Sequence, residues 1–163
     1  MTEAEMRLHR CCFTGHRPEK LSWDVKDVCS WLEQEIRKAV LAGFTTFISG
    51  MARGVDIWAA QIVLRLKDEG KKIHLICACP YNGFERGWDT SWKECYLDIL
   101  KRADLVKYIS PKYSPDCFQV RNEWMVDHSN RVIAVFNGKP SGTKNTIDYA
   151  NKNHVGVVFF GHR

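Results

Sequence analysis

The chain has 163 residues, of which 45% are hydrophobic and 26% charged, and it carries a formal net charge of +5 at pH 7. This composition is ordinary for a globular protein, and the length suffices for one domain with a buried core. No apolar run approaches the ~20 residues that a membrane-spanning helix needs, and the polar residues 1–10 do not resemble a signal peptide. We therefore expect a cytoplasmic protein without a membrane partner.

Apolar runs typical of strands alternate with segments of helical spacing along the whole chain. Strands are expected at residues 8–14, 44–49, 73–78, 104–109, 131–136 and 155–160. Helices are expected from the N-cap Ser22 to the stop at Gly43, and at residues 55–69, 91–102, 118–128 and 143–153. This alternation predicts an α/β sandwich with a mainly parallel sheet of about six strands.

In such a fold, ligands bind beyond the carboxyl ends of the strands, near the point where the strand order reverses. The turn at residues 49–60 lies at this edge, where its backbone N–H groups and the helix dipole favour an anion. Gly50 and Gly54 let a ligand approach the backbone, and Arg53 adds a positive charge. The alternative is structural, because Gly50 also suits a tight turn and Gly54 lets a helix pack on the sheet.

A second anion-binding turn is predicted at Ser141, Gly142 and Thr143, just before the last helix. Two hydroxyls and free N–H groups at a helix start suit a phosphate. Here too the alternative is structural, since Ser141 or Thr143 also serves as an ordinary N-cap. Two such turns on one sheet edge favour an anionic ligand, such as a nucleotide or a sugar phosphate.

Further residues on the same edge extend the predicted ligand-binding site. Arginines from three segments are expected to neutralise a phosphate, and an aromatic side chain is expected to border a base or ribose. A glycine and a histidine after the first strand, and a proline after the third, lie beside them. These residues are Arg17, Arg53 and Arg121, Trp58 and Tyr81, Gly15 and His16, and Pro80.

The seven cysteines show no spacing typical of a zinc site. Cys11 and Cys12 are adjacent in one predicted strand, and Cys77 and Cys79 alternate in another, so neither pair presents both thiols to one metal. We interpret them as reduced, mostly buried thiols, and we expect no metal site and no resident cofactor.

Three segments resemble one known family: residues 12–18 (CFTGHRP), residues 49–60 (SGMARGVDIWAA) and the turn at residues 138–143 (GKPSGT). They are similar to the YpsA-like family, a group of bacterial and phage proteins in the SLOG superfamily, in the same order and over nearly the whole chain. The resemblance implies a Rossmann-like three-layer sandwich that forms one domain over residues 1–163. It also implies the binding of nucleotides or nucleotide-derived ligands.

Two better-defined branches of that superfamily are the cytokinin-activating phosphoribohydrolases and DprA, which loads recombinase on single-stranded DNA. The hydrolases carry an Arg-Lys pair and a Pro-Gly-Gly-x-Gly-Thr-x-x-Glu turn. Here Arg121 matches the arginine and Asn122 replaces the lysine. Gly142 and Thr143 match the Gly-Thr, but Thr146 stands at the position of the catalytic glutamate. The resemblance therefore does not supply the general acid or base of the hydrolases.

These observations support three hypotheses, and they leave open whether the protein is an enzyme. The first is a protein that binds a nucleotide-like or sugar-phosphate small molecule, as a ligand sensor. The second is an N-glycosidic hydrolase of nucleotides, with Asp56 or Glu123 as catalytic carboxylates. The third is a single-stranded DNA-binding module, which the modest and dispersed positive charge favours less. Flat apolar helix faces are compatible with a homo-oligomer.

Overall fold

The computed structural model describes residues 1–160, so residues 161–163 of the expected domain lie outside the described residues. The described part of the chain forms six α-helices and six strands. In chain order they are α1 (Glu3–Arg7), β1 (Arg10–Gly15), α2 (Val25–Leu41), β2 (Thr46–Ser49), α3 (Val55–Asp68), β3 (His74–Cys79), α4 (Thr90–Arg102), β4 (Leu105–Tyr108), α5 (Cys117–Asp127), β5 (Arg131–Val135), α6 (Gly142–Lys152) and β6 (Gly156–Phe160). A short 3-10 turn, Pro18–Lys20, stands between β1 and α2.

The strands and the helices from α3 onward agree with the sequence prediction to within two residues, and the differences lie near the amino terminus. The sequence pattern does not predict α1, which is closed by a capping box between Thr2 and Glu5. The prediction of Ser22 as the N-cap of α2 is wrong, because the Asp24 carboxylate accepts the Lys26 N–H at 2.8 Å. Serine and aspartate are equally good N-caps, so the sequence does not decide between near neighbours.

The six strands form one sheet in the order β4-β3-β2-β1-β5-β6, and every neighbouring pair is parallel. From β1 the chain winds outward to β4, and β5 then returns to the other side of β1. The strand order therefore reverses between β1 and β5. In open parallel sheets this switch point opens a crevice at the carboxyl ends of the strands.

Helices cover both faces of the sheet, and side chains of a strand alternate between the two faces. Phe13 of β1 belongs to the core formed with α2, α3 and α4. Its neighbour Cys12 belongs to the core formed with α5 and α6. Three layers result, as expected for a Rossmann-like sandwich. None of the helices within residues 1–160 is long and apolar enough to cross a membrane.

All seven cysteines are free thiols, and five of them are buried. Burial raises the pKa of the Cys12 thiol to about 12 and that of Cys79 to about 11, so both are uncharged at neutral pH. The Tyr96 hydroxyl donates a hydrogen bond to the Cys79 sulfur at 3.2 Å. These thiols therefore act as small apolar core residues.

Gly54 lies where the β2–α3 turn packs closely against the loop that follows β1. Its φ of +93° is a left-handed conformation that favours glycine. A Cβ at this position would lie 2.6 Å from the carbonyl oxygen of His16 and 3.0 Å from Cδ of Pro18. The close approach of two backbone segments therefore requires glycine here for both conformation and space.

Replacing Gly54 by alanine should destabilise the protein more than the same change at Gly70. Both glycines have a positive φ, but nothing lies within 4 Å of a Cβ at Gly70. Gly70→Ala should therefore cost only the conformational strain, about 1 kcal/mol, and Gly54→Ala about 2–4 kcal/mol because the His16 segment must move. Urea unfolding measures both, and equal losses would contradict the close approach.

Candidate site at the switch point of the sheet

A cavity of about 420 Å³ opens at the carboxyl edge of the sheet, at the switch point between β1 and β5. The segments after β1, β2 and β3, one side of α5 and the first turn of α6 line it. From the first two turns it brings together the predicted residues Gly15, His16, Arg17, Arg53 and Asp56. From α5 and α6 it brings together Arg121, Ser141, Gly142 and Thr143.

Gly50 and Gly54 lie beside the cavity and are not part of its lining. A Cβ on Gly50 would lie 2.9 Å from Nη1 of Arg121 and 3.0 Å from Oδ2 of Asp56. As at Gly54, the space beside the glycine is filled by the protein itself. The close approach that these glycines permit is therefore between protein segments.

Four other predicted residues lie outside the lining. Trp58 packs against Trp92, with ring centroids 6.1 Å apart. Pro80 is buried, and the ring of Tyr81 packs edge-on against Phe84. Glu123 accepts a hydrogen bond from the Gln119 amide at 3.0 Å, one turn earlier on α5.

The β2–α3 turn uses its own side chains to satisfy two of its backbone donors. The Met51 N–H donates to the Ser49 hydroxyl oxygen, and the Ala52 N–H donates to Oδ2 of Asp56, both at 3.2 Å. The Ser49 hydroxyl in turn donates to the Asp56 carbonyl at 2.8 Å. The Asp56 carboxylate thus occupies one of the donors that the sequence assigns to a ligand anion.

The amino terminus of α6 is open to the cavity. Ser141 is its N-cap, and the Ser141 hydroxyl oxygen accepts the Lys144 N–H at 3.1 Å. Helix geometry gives the N–H groups of Gly142 and Thr143 no intrahelical acceptor. Gly142 is exposed, and the one atom near a Cβ at this position is Nδ2 of Asn122, at 4.0 Å. An anion can therefore approach these two N–H groups closely.

Positive side chains surround the cavity mouth. Arg17 and Lys20 are exposed there, and Arg53 forms an ion pair with Glu19 at 2.8 Å across the β1 and β2 loops. Lysine and arginine close to a helix amino terminus add to the attraction for an anion. The mouth and the start of α6 therefore form the electropositive part of the cavity.

The inner part of the cavity holds a buried carboxylate and a buried guanidinium. Arg121 is 5% exposed and donates to the Gly50 carbonyl, and through Nε to the Asn122 side-chain oxygen at 2.8 Å. Asp56 is 6% exposed, and burial raises the pKa of its carboxyl to about 6 although Arg121 and the Ala52 N–H oppose this. Its Oδ1 is buried without a hydrogen-bond partner in the described chain.

His16 contributes a neutral imidazole. Its Nε2 accepts the backbone N–H of Asn137 at 3.1 Å, so Nε2 carries no proton. Burial, with a smaller effect of Lys20, lowers the pKa of the ring. The proton of the neutral ring must therefore lie on Nδ1, which is a hydrogen-bond donor.

An aromatic wall formed by Phe84, Trp88 and Phe118 closes one side of the cavity. Phe84 packs on Trp88 at 5.1 Å and on Phe118 at 5.6 Å between ring centroids. The sequence does not single out these rings, although Phe84 and Trp88 lie in the aromatic loop after β3. That loop signals an aromatic wall, but only the fold decides which rings face inward. Lys20 and Asn122 are further lining residues outside the predicted set.

The fold and the switch-point cavity define a Rossmann-like α/β protein. Within this class the chain belongs to the YspA SLOG family, whose YpsA model matches residues 11–155. The resemblance of the three sequence segments to this family is thereby confirmed.

The chain is also similar in sequence to named relatives and in fold to a solved structure. The chain is 34% identical over 122 residues to the uncharacterized SPbeta prophage-derived protein YoqJ of Bacillus subtilis. This alignment covers 68% of this chain and 71% of YoqJ. It is 33% identical over 148 residues to a UPF0398 protein of Bacillus thuringiensis, covering 85% and 80%. DNA processing protein A from Helicobacter pylori, whose structure is described by its single-stranded DNA binding mode, has a similar fold with a TM-score of 0.69. The two proteins are 18% identical, and the superposition covers 99% of this chain and 68% of that one.

Replacing Asp56 by asparagine should remove a pH dependence of stability. The carboxyl pKa is raised from 3.8 to about 6 on folding, so the folded state binds the proton more tightly than the unfolded state. The wild type should therefore lose up to about 3 kcal/mol of stability as the pH rises from 4 through 6, and Asp56→Asn should not. Urea unfolding at pH 4.5 and 7.5 measures the free energy of unfolding of both proteins. The same difference in stability between wild type and Asp56→Asn at the two pH values would contradict the prediction.

Proposed function

We propose that this protein binds a nucleotide or a nucleotide-derived phosphate in the switch-point cavity and acts as a ligand sensor. The observation that carries the proposal is the open amino terminus of α6, where Gly142 leaves two N–H groups accessible from the cavity. A phosphate on these groups also benefits from the helix dipole. Arg17 and Lys20 at the mouth would neutralise it.

The rest of the cavity suits the other parts of a nucleotide. A volume of about 420 Å³ lies within the ordinary range for small-molecule sites. The wall of Phe84, Trp88 and Phe118 offers ring surfaces against which a base can stack. We assign the base to this wall instead of Trp58 or Tyr81, which lie outside the lining.

The proposal differs from the sequence prediction in where the anion lies. We place the phosphate at α6 and the mouth, and we assign Gly50 and Gly54 to the packing of the cavity floor. Two donors of the β2–α3 turn, the Met51 and Ala52 N–H groups, are engaged by Ser49 and Asp56. The prophage origin of the relative YoqJ supports a phage-associated role for this chain as part of the same proposal.

N-glycosidic hydrolysis is a second candidate, because a carboxyl of pKa about 6 lines the cavity. A group that titrates near neutral pH is suited to general acid–base catalysis. Single-stranded DNA binding is a third candidate, supported by the fold shared with DNA processing protein A of Helicobacter pylori. The aromatic wall and the basic mouth are also features of single-strand binding sites.

Gly142→Ala should weaken nucleotide binding at least about tenfold, because its methyl group would stand between the phosphate and the two N–H groups of α6. Gly156→Ala in β6 is the matched control and should leave nucleotide binding unchanged. Nothing lies within 4 Å of a Cβ added at Gly156, and neither glycine has a positive φ. Titration calorimetry with the ribonucleoside 5′-monophosphates and ligand-free protein measures the affinities. Absence of binding to any nucleotide would refute the proposal, and equal affinities would refute the placement of the phosphate.

The two other candidate functions have their own readouts. Release of free base from nucleoside monophosphates, detected by chromatography and lost in Asp56→Asn, would favour the hydrolase. A gel shift with single-stranded DNA that weakens steeply between 50 and 200 mM salt would favour DNA binding.

A further inference from the structure

The inner cavity contains an acceptor that the protein leaves unsatisfied. Oδ1 of Asp56 is buried and has no hydrogen-bond partner among the described residues, although Asp56 lines the cavity. Buried polar atoms are nearly always hydrogen-bonded, since desolvation without a partner is costly. Because Asp56 lines the cavity, rotation of its carboxylate would let this oxygen accept a donor that enters with a ligand.

The hydrogen bonds formed by the neighbouring donors go to atoms other than Oδ1. The Ala52 N–H donates to the other oxygen, Oδ2, and the Ser49 hydroxyl donates to the Asp56 carbonyl. The hydrogen bonds of Arg121 go to the Gly50 carbonyl and to Asn122. Asp56 and Arg121 both flank Gly50, where each lies about 3 Å from the position of a Cβ.

The charges define the chemistry of this donor. A phosphate is repelled by the Asp56 carboxylate, so the anionic end of a ligand belongs at the mouth and at α6. Arg121 already supplies a positive charge that favours the charged form of Asp56 against the effect of burial, so a cation would add a second positive charge here. A neutral donor, such as a hydroxyl group, satisfies Oδ1 without adding charge to the inner cavity.

We propose that Asp56 accepts a hydrogen bond from a ribose hydroxyl, so that the cavity selects a ribonucleoside phosphate over its deoxy counterpart. This inference rests on the function proposed above. The ligand would then lie with its phosphate at Gly142, its base on the aromatic wall and its vicinal diol at Asp56. A neutral donor on a charged acceptor is a strong hydrogen bond, and its loss leaves the buried oxygen unsatisfied again.

The test is titration calorimetry of the wild type with the four ribonucleoside 5′-monophosphates and their 2′,3′-dideoxy counterparts. We expect the preferred ribonucleotide to bind about 10- to 100-fold more tightly than its dideoxy form. Binding of both forms with equal affinity would overturn this inference and leave the proposed function standing. Failure of both series to bind would refute the proposed function itself.

Variants of Asp56 assign the preference to this carboxylate. Asp56→Ala should abolish the ribose preference, and Asp56→Asn, which keeps an acceptor of weaker strength, should reduce it several-fold. Asp98→Asn on the exposed surface of α4 is the control and should keep the full preference. If Asp56→Ala does not fold, Asp56→Asn alone decides, because an unchanged preference in that variant also overturns the inference.

Discussion

The carboxyl edge of the sheet depends on the packing of Asp56 and Arg121 around Gly50. Asp56 comes from α3 on one face of the sheet and Arg121 from α5 on the other, and both are almost fully buried. A lone charge in such a place would cost several kcal/mol, so each group depends on the opposite charge and on hydrogen bonds to backbone groups of the turn. Any side chain at Gly50 would separate them. The two helix layers are thereby joined across the end of β2.

This packing also determines how the cavity is divided. The Asp56 carboxylate accepts the Ala52 N–H of the β2–α3 turn, so the turn already holds a negative charge where a phosphate would otherwise bind. The amino terminus of α6 has no such internal anion. In the proposed function, the turn at α6 therefore takes the anionic part of the ligand, and the β2–α3 turn supplies the acceptor of the inner cavity. The same sheet edge would thus carry two separate kinds of recognition chemistry.

The fold and much of this edge can be predicted because they follow from order along the chain. Alternating apolar and amphipathic segments determine the α/β class, and a parallel sheet places every strand-to-helix turn on one edge whatever the strand order. Contacts between distant segments cannot be predicted in this way. A glycine such as Gly54 indicates that a Cβ does not fit, but the sequence does not say that His16 fills the space. Likewise, Trp58 and Trp88 both follow strands, and only tertiary packing turns Trp88 toward the cavity.

The acidic side chains near the cavity fit the proposed ligand binding. Among the described residues that line the cavity, Asp56 is the one acidic side chain, and Glu123 lies outside the lining. Thr146, which stands where the related hydrolases carry their glutamate, donates its hydroxyl proton to the Gly142 carbonyl at 2.9 Å and is fully buried. It thus steadies the first turn of α6. Cleavage of a glycosidic bond usually employs two carboxyl groups on opposite sides of the reacting carbon. The proposed contact with a ribose hydroxyl, by contrast, requires only a single carboxylate with one unsatisfied oxygen.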